Sequence, residues 1–172
     1  GYTKDQGIEQ LYRDNRITPI YEGTNSVQAI DLVFRKLVNK NGDIISKYIR
    51  LIKSDLNNIK NDKIKPFSQK LNIYIDKLND FSNWIKEKIN TSKDDANAAC
   101  NDYLKVLGLV AVAHSWIKVL EVSYEDYVSN KEFYEDKIQT ANFYFNRVLP
   151  RIESHYLSAI TGSEYIMNFK FN

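Results

Sequence analysis

The run ANAACNDYLKVLGLVAVAHSWI, from Ala96 to Ile117, is apolar on nearly every side of its middle when it is wound into a helix. A helix of this kind needs neighbours on all sides, because it has no polar face to turn to water. We therefore expect it to be the most buried element of the fold, with the other elements packed around it.

The stretches on either side of this run carry narrower apolar stripes. Apolar residues recur there at spacings of three and four, which is the period of an amphipathic helix. Gly and Pro are scarce, with six and three in 172 residues, so long helices are rarely interrupted. The pattern predicts an all-α protein. The stripes contain Ile45, Tyr48, Ile49, Ile52, Leu56 and Ile59, then Phe67, Leu71, Tyr74, Leu78, Phe81, Ile85 and Ile89, and then Phe133, Tyr134, Ile138, Ala141, Tyr144, Phe145, Val148 and Ile152.

Four long helices follow from these stripes and their end signals. They are predicted to run from Asp43 to about Asn61, from Pro66 to about Asn90, from Ala96 past Ile117, and from near Asn130 to about Ala159. Pro150 is predicted to kink the last of them. Short connections favour antiparallel neighbours, so the sequence predicts an up-and-down bundle.

The first 40 residues form a different unit in this interpretation. A short helix is predicted from Ile8 to Arg13, and a second after Thr24 until Asn41-Gly42 ends it. The second helix is predicted to turn one face to the core, formed by Val27, Ile30, Val33, Leu37 and Val38. We place a domain boundary between residues 1–40 and 41–172.

Composition and charge argue against several classes of function. The formal net charge is +2, and the charged residues of both signs are interspersed, which disfavours a nucleic-acid partner. Cys100 is the only cysteine, and no Cys/His spacing is that of a zinc site, so no metal is expected. No leader and no apolar run of about eighteen residues is visible, which predicts no membrane span. A reducing, cytoplasmic location is the expectation.

Glu22 occupies a special position between the two short helices. Pro19 restricts the backbone before it, Gly23 removes the side chain beside it, and Thr24 or Asn25 can cap the next helix. Glu22 is therefore predicted to lie on a short turn, where a shielded carboxylate could act as a base. By spacing alone, an ordinary exposed turn residue is the commoner interpretation.

Four consecutive motifs give this segment a family resemblance. They are Gly1-Tyr2, Arg13-Asp14-Asn15-Arg16-Ile17, Tyr21-Glu22-Gly23-Thr24 and Val27-Gln28. Their order and spacing resemble the signature of the acyl-CoA dehydrogenases, which are FAD-dependent enzymes. The resemblance implies that Glu22 removes the α-proton of an acyl-CoA thioester and that Gly23 contacts the acyl-CoA. It also implies that Thr24, Asn25 and Ser26 lie along the FAD, although Ser26 departs from the Gln that is common in short- and medium-chain members.

The remaining chain is similar to the additional helical C-terminal domain of longer members of that family. The similar stretches are Asp95-Ala96-Asn97-Ala98-Ala99, Leu107-Gly108-Leu109-Val110-Ala111 and Ala141-Asn142-Phe143-Tyr144. The resemblance implies a C-terminal fragment of an acyl-CoA dehydrogenase, whose full-length form is a homo-oligomer and passes electrons to an electron-transfer flavoprotein.

The isolated chain is expected neither to retain FAD nor to oxidise acyl-CoA. The reason is that its sequence contains no motif of the β domain that holds the flavin in this family. The alternative is a free-standing helical interaction or oligomerisation module without catalysis. The sequence upstream in the gene would separate the two hypotheses.

For a few other residues, the sequence predicts a structural role only. His114 is predicted to be a hydrogen-bonded core histidine, and His155 a solvated or dipole-compensating one. Cys100 is predicted to be a small buried residue and not a nucleophile. Arg13 and its neighbours in the motif are predicted to form local salt bridges.

Overall fold

The computed structural model describes residues 3–18, 24–38 and 44–170. Within these ranges every regular element is helical, and no strand occurs. The prediction of an all-α helical bundle is therefore confirmed for the described residues. Asn41, Gly42 and Asp43, which we expected to end one helix and start the next, lie outside them.

We number the α-helices in chain order. They are α1 (Glu9–Asn15), α2 (Asn25–Asp31), α3 (Ile44–Asn57), α4 (Lys65–Thr91), α5 (Lys93–Glu125), α6 (Lys131–Phe143), α7 (Ile152–Ile160) and α8 (Glu164–Met167). A π-helical segment, Leu32–Leu37, continues α2. A second π-helical segment, Tyr144–Val148, and a 3-10 turn, Leu149–Arg151, join α6 to α7.

Local signals in the sequence place the ends of the long helices. Pro66 lies in the first turn of α4, where its missing N–H costs nothing. The Ser92 side chain caps α5 by accepting from the Asp95 N–H. Asn130 caps α6 in the same way through the Phe133 N–H. The helix predicted from Asp43 to Asn61 ends earlier, at Asn57.

Contacts between α4 and α5 show that these helices are antiparallel. The Ser82 and Tyr103 hydroxyls lie 2.8 Å apart, and Lys88 Nζ lies 3.2 Å from Asp95 Oδ2. Residue numbers therefore rise along one helix as they fall along the other. Only Ser92 separates the two helices, so the chain reverses direction within one residue.

The C-terminal helices run back along α5 in the same manner. Tyr144 donates its hydroxyl to the Leu109 carbonyl at 2.8 Å, and His155 Nδ1 lies 2.8 Å from Asp102 Oδ1. The pairing again runs in opposite directions. Helix α5 thus lies at the centre of the bundle, as its sequence predicted, and contacts α2, α4, α6 and α7.

The hydrophobic core follows the predicted stripes except at Phe133, which is 49% exposed. Phe81 on α4 is fully buried and packs edge-on against Tyr103 and Tyr156, with ring centroids 5.3 and 5.5 Å apart. Edge-to-face contacts of this kind add to the stabilisation from burial. The largest fully buried aliphatic side chains are Leu37, Ile52, Ile64, Leu71, Ile75, Leu78, Ile85, Ile117 and Leu120.

The predicted inner face of the helix after Thr24 is wrong in part. Val27 is 58% exposed, and Ile30 and Val38 are also exposed. Val33 and Leu37 of the predicted face are buried, and Ala29, which was not predicted, is buried with them. Their spacing of four places them on one side of α2 and its π-helical continuation, where the extra residue per turn shifts the register of the face.

The interruption predicted near Pro150 is present as a change of helix type. The α-hydrogen bonding of α6 gives way to the π-helical segment Tyr144–Val148 and then to the 3-10 turn that contains Pro150. Pro has no N–H to donate to the preceding turn, so the regular ladder cannot pass through it. Phe145, Leu149 and Ile152 remain buried across the change.

By length and composition alone, α5 could cross a membrane, since an 18-residue window in it has a mean hydropathy of 1.5. The central helix of a helical bundle meets the same criterion. Val106, Val110, Ala113 and Ile117 of α5 are all fully buried against neighbouring helices. Packing within the bundle buries 33% of that window.

Candidate functional site

The structure describes the motif segment on both sides of its glutamate, over residues 3–18 and from residue 24 onward. Glu22 and Gly23 lie outside the described residues. Thr24, Asn25 and Ser26 lie at the start of α2, and all three are exposed. The Thr24 carbonyl accepts the first helical hydrogen bond from the Gln28 N–H at 2.9 Å, whereas its side chain makes no capping bond.

Two charged residues of the motif, Arg13 and Asp14, have partners within their own helix. Arg13 Nε lies 2.6 Å from Glu9 Oε2, and a second guanidinium nitrogen donates to Gln10 at 2.5 Å. Asp14 accepts from Gln10 at 2.7 Å. The predicted local salt bridge of Arg13 is confirmed. These pairs are exposed, where an ion pair adds at most about 1 kcal/mol.

The bundle contacts the motif segment directly through α5. Asn101 Nδ2 donates to Ser26 Oγ at 3.2 Å, although 75 residues separate the two. Below this contact, Ala29 and Val33 are buried in the same core as the bundle residues. Sequence reasoning missed Asn101, because a single polar residue on an exposed helix position gives no signal of a distant partner.

An apolar groove lies beside α2. It encloses about 540 Å³ between α2, α3 and α5, and its walls include Leu32, Ile45, Leu104 and Leu107. An ion pair of 2.6 Å between Asp31 and Arg35 lies along α2 and its continuation. The groove can accept apolar groups, because apolar side chains form most of its lining.

A polar cluster joins α3 to α5 next to this groove. His114 Nε2 lies 2.8 Å from Asp55 Oδ2, and Lys118 Nζ lies 3.2 Å from the same oxygen. The hydrogen bond from His114, with that from Lys118, lowers the pKa of Asp55 despite an opposing desolvation effect. The prediction of a hydrogen-bonded core histidine is confirmed for His114. Tyr48 packs edge-on against its ring at 6.1 Å.

His155 differs from its prediction. Its ring is three-quarters buried and paired with Asp102 on α5 at 2.8 Å, so it is not a solvated residue. The sequence could not show this, because the two residues are 53 positions apart and meet only through the packing of α7 on α5. Both histidine–carboxylate pairs join neighbouring helices.

Cys100 is a structural residue, as predicted. Its thiol is buried and donates to the Ala96 carbonyl at 3.2 Å. Burial raises the pKa of the thiol to about 11, which keeps it protonated and unreactive near neutral pH. In residues 3–18, 24–38 and 44–170, no three His, Cys, Asp or Glu side chains are grouped as metal ligands.

Two protein families match this chain in consecutive segments. Residues 1–37 match the family described as "Acyl-CoA dehydrogenase, C-terminal domain". Residues 44–170 match the family described as "Acetyl-CoA dehydrogenase C-terminal like". Together the two matches cover both the motif segment and the helical bundle.

Two curated proteins resemble part of the chain. The 3-methylmercaptopropionyl-CoA dehydrogenase of Ruegeria pomeroyi is 42% identical over 52 residues, which is 30% of this chain and 9% of that protein. The broad-specificity linear acyl-CoA dehydrogenase FadE5 of Mycobacterium tuberculosis is 48% identical over 42 residues, or 24% of this chain and 7% of that protein. The matched segments thus span less than a tenth of either relative.

Proposed function

We infer that this chain, which belongs to the acyl-CoA dehydrogenase family, is the C-terminal part of an FAD-dependent enzyme that introduces an α,β double bond into an acyl-CoA thioester. The consecutive match to two C-terminal regions of the family is the observation that carries this proposal. Both similar curated proteins are named as CoA-thioester dehydrogenases, which agrees with it.

Glu22 is the proposed base of the reaction. A carboxylate beside the α-carbon can take the α-proton if its surroundings exclude enough water to raise its pKa. Gly23 has no side chain, so a thioester could lie close to the backbone at that point. The position of Glu22 in Tyr21-Glu22-Gly23-Thr24 supports this assignment.

Thr24, Asn25 and Ser26 are proposed to contact the FAD. They are exposed polar residues on the first turn of one helix, and the Thr24 side chain is not used for capping. Their hydroxyl and amide groups suit hydrogen bonding to a flavin cofactor. When bound, FAD would supply the oxidising capacity, by accepting a hydride from the β-carbon.

We further propose a functional division near residues 39–43. The two family matches, which end at residue 37 and begin at residue 44, support it. In the full-length protein we propose homo-oligomerisation, electron transfer to an electron-transfer flavoprotein or similar acceptor, and a cytoplasmic location. Family membership supports the first two of these.

Flavin retention tests the proposal. The protein encoded by the complete reading frame and the present chain are purified separately. Each is incubated with excess FAD and then freed of unbound flavin. We expect the complete protein to retain flavin that an acyl-CoA reduces, and the present chain to retain none and to be inactive. A complete protein without flavin, or a start codon at this point of the gene, would support the helical-module alternative instead.

A further inference from the structure

Helix α5 is apolar on nearly every side of its middle, yet one side is not covered by any described part of the chain. Val112 is 46% exposed and Val122 is 50% exposed, although valine is a residue that is usually buried. Both belong to a line of residues that recurs at spacings of three and four along the outside of the helix. This line, which we call the α5 seam, consists of Lys105, Gly108, Val112, Ser115, Val119, Val122 and Asp126, all exposed except the half-buried Val119.

Two grooves widen the apolar surface along the seam. The groove of about 540 Å³ described above adjoins its first half, where Leu107 forms part of the lining. A groove of about 450 Å³ between α5 and α6 adjoins its second half, where Val122 forms part of the lining. No Asp, Glu, Lys or Arg occurs between Lys105 and Lys118. A continuous apolar surface of this kind is typical of an interaction site.

The shape of the seam fits a second copy of itself that runs in the opposite direction. With Ser115 on a twofold axis, Gly108 of one copy falls opposite Val122 of the other copy. Gly108 provides a hollow for that valine, since a Cβ at Gly108 would meet no atom of the described residues within 4 Å. Ser115 itself is small, and its hydroxyl already donates to the Ala111 carbonyl at 3.1 Å. Its burial therefore leaves no hydroxyl without a hydrogen bond.

The charges at the two ends of the seam match in the same register. Lys105 of one copy falls opposite the residue before Asp126 of the other copy. Within residues 3–18, 24–38 and 44–170, neither side chain has an ion-pair partner. In one copy the two lie about 30 Å apart along α5, too far for a salt bridge. Lys118 beside the seam is already held by Asp55 at 3.2 Å and Glu121 at 3.5 Å.

The size of the seam sets the strength of the expected contact. It is about 30 Å long, and helices packed beside α5 lie about 8–10 Å from its axis. The surface is then about 500–600 Å² per copy, which is below the roughly 800 Å² per partner of a standard stable interface. A dimer formed through the seam should therefore be weak, with a Kd of about 10–100 μM.

We propose that the α5 seam is a docking surface for a second copy of this chain, with the two α5 helices antiparallel across a twofold axis near Ser115. This inference rests on the homo-oligomerisation proposed above and names its surface, but it uses no catalytic residue. One register matches Gly108 with Val122 and Lys105 with Asp126, which is the reason for choosing a second copy as the occupant. Contact through the same surface on both copies closes the assembly at two.

Sedimentation equilibrium of the present chain over about 5–500 μM, which brackets the expected Kd, tests the surface. Val112→Lys puts a charge opposite Lys118 of the second copy and should weaken dimerisation at least about tenfold. The matched control is Ile73→Lys, because Ile73 is 63% exposed and lies on α4, which packs on the buried side of α5. Its Kd should equal that of the wild type. A chain that stays monomeric over this range, or two variants with the same Kd, would overturn the proposal.

A charge exchange tests the antiparallel register. Lys105→Asp and Asp126→Lys should each raise the Kd about three- to tenfold, because like charges then meet between copies. The double variant should restore the wild-type Kd, since opposite charges face each other again. The two positions are too far apart within one copy to compensate each other. A double variant that dimerises no more tightly than the weaker single variant would overturn the pairing.

A cross-link tests the same surface in the complete protein. Ser115→Cys puts a thiol on the proposed axis, so mild oxidation should link two copies, whereas Ile73→Cys should give no link. Cys100 is buried and should not react. Failure of Ser115→Cys to link would mean that another part of the polypeptide covers the seam, and it would overturn the proposal. Flavin reduction by an acyl-CoA is measured separately, and its absence in a protein that cross-links would contradict the proposed catalytic function alone.

Discussion

At the scale of single residues, Asp95 is the side chain that connects three segments of the bundle. Its Oδ1 accepts hydrogen bonds from the Ser163 N–H at 2.9 Å and the Ser163 hydroxyl at 2.8 Å, and Lys88 lies 3.2 Å from its Oδ2. These donors, the Ser163 N–H first, lower the pKa of Asp95 from 3.8 to about 2. One carboxylate thereby links the start of α5 to the end of α4 and to the turn after α7.

The lowered pKa of Asp95 predicts a pH-dependent contribution to stability. The fold favours the ionised carboxylate, so the contribution is complete above the unfolded pKa near 3.8 and is lost as the pH falls toward the folded pKa of about 2. Asp95→Asn resembles the protonated form. Its unfolding free energy in urea should be lower than that of the wild type near neutral pH, and the two should converge as the pH falls below about 4.

Asp94→Asn is the matched control, because Asp94 carries the same charge in the same first turn of α5 but is exposed. It should differ little from the wild type at any pH. A deficit of Asp95→Asn that stays constant down to low pH would contradict the assignment.

Replacing either of two glycines by alanine should change the free energy of unfolding, but in opposite directions. Gly162 has φ of +77°, and a Cβ there would lie 2.8 Å from Asp95 Oδ1. Gly108 lies within α5, where a Cβ meets no atom within 4 Å. Gly162→Ala should therefore lower the free energy of unfolding by at least about 1 kcal/mol, since left-handed backbone is strained for Ala. Gly108→Ala should raise it by about 0.5–1 kcal/mol.

Urea unfolding monitored by circular dichroism measures both glycine variants. Because both variants replace Gly by Ala, a difference between them reflects the position and not the type of substitution. If Gly162→Ala were neutral, neither the left-handed turn nor the proximity of Asp95 would matter as the structure indicates.

At the scale of elements, the sequence predicted helices best where local signals and packing agree. Pro66 and the stripe from Phe67 to Ile89 placed α4 correctly to within one residue at each end. The stripe after Thr24 was less informative, because apolar residues occur on both sides of α2 and the π-helical segment alters the period. Only tertiary packing selects Ala29, Val33 and Leu37 as its inner face.

The candidate site was predictable only where a motif spans adjacent residues. The roles of Glu22, Thr24 and Ser26 stay predictions, and they rest on residues that are neighbours in one motif. Asn101 and Asp102 were not found, since their partners are more than 50 residues away and meet them only when helices pack on α5. Sequence periodicity predicts which face of a helix is buried, but it does not predict which distant polar residue a side chain will contact.

Two valines on the same helical segment test whether α2 belongs to the cooperative core. Val33 is fully buried and Val27 is 58% exposed. Val33→Ala should lower the free energy of unfolding of the whole bundle by about 1–3 kcal/mol, whereas Val27→Ala should change it by less than about 0.5 kcal/mol. Chemical denaturation of the isolated chain, followed by Trp84 and Trp116 fluorescence, reports on the bundle itself.

The unfolding transitions of the two variants show whether α2 unfolds together with the bundle. A single transition that shifts only in Val33→Ala would place residues 24–38 within the unit that unfolds with the bundle. A tryptophan transition that is unchanged in Val33→Ala would show instead that this segment unfolds separately.

At the scale of the whole molecule, the structure joins two segments that match separate families. Residues 24–38 follow the motif, and residues 44–170 form the bundle. Val33 and Leu37 from the first segment are buried in the same core as Val106 and Val110 from the second. The described residues of both segments therefore share one hydrophobic core.

The central proposal is that Glu22 is the base of a flavin-dependent acyl-CoA dehydrogenase. The most direct measurement is anaerobic flavin reduction by an acyl-CoA in the full-length enzyme, with wild type compared with Glu22→Gln. The amide cannot take up the α-proton, so we expect Glu22→Gln to retain FAD and to reduce it at least about 100-fold more slowly. Reduction of the flavin at the wild-type rate by Glu22→Gln would contradict the account.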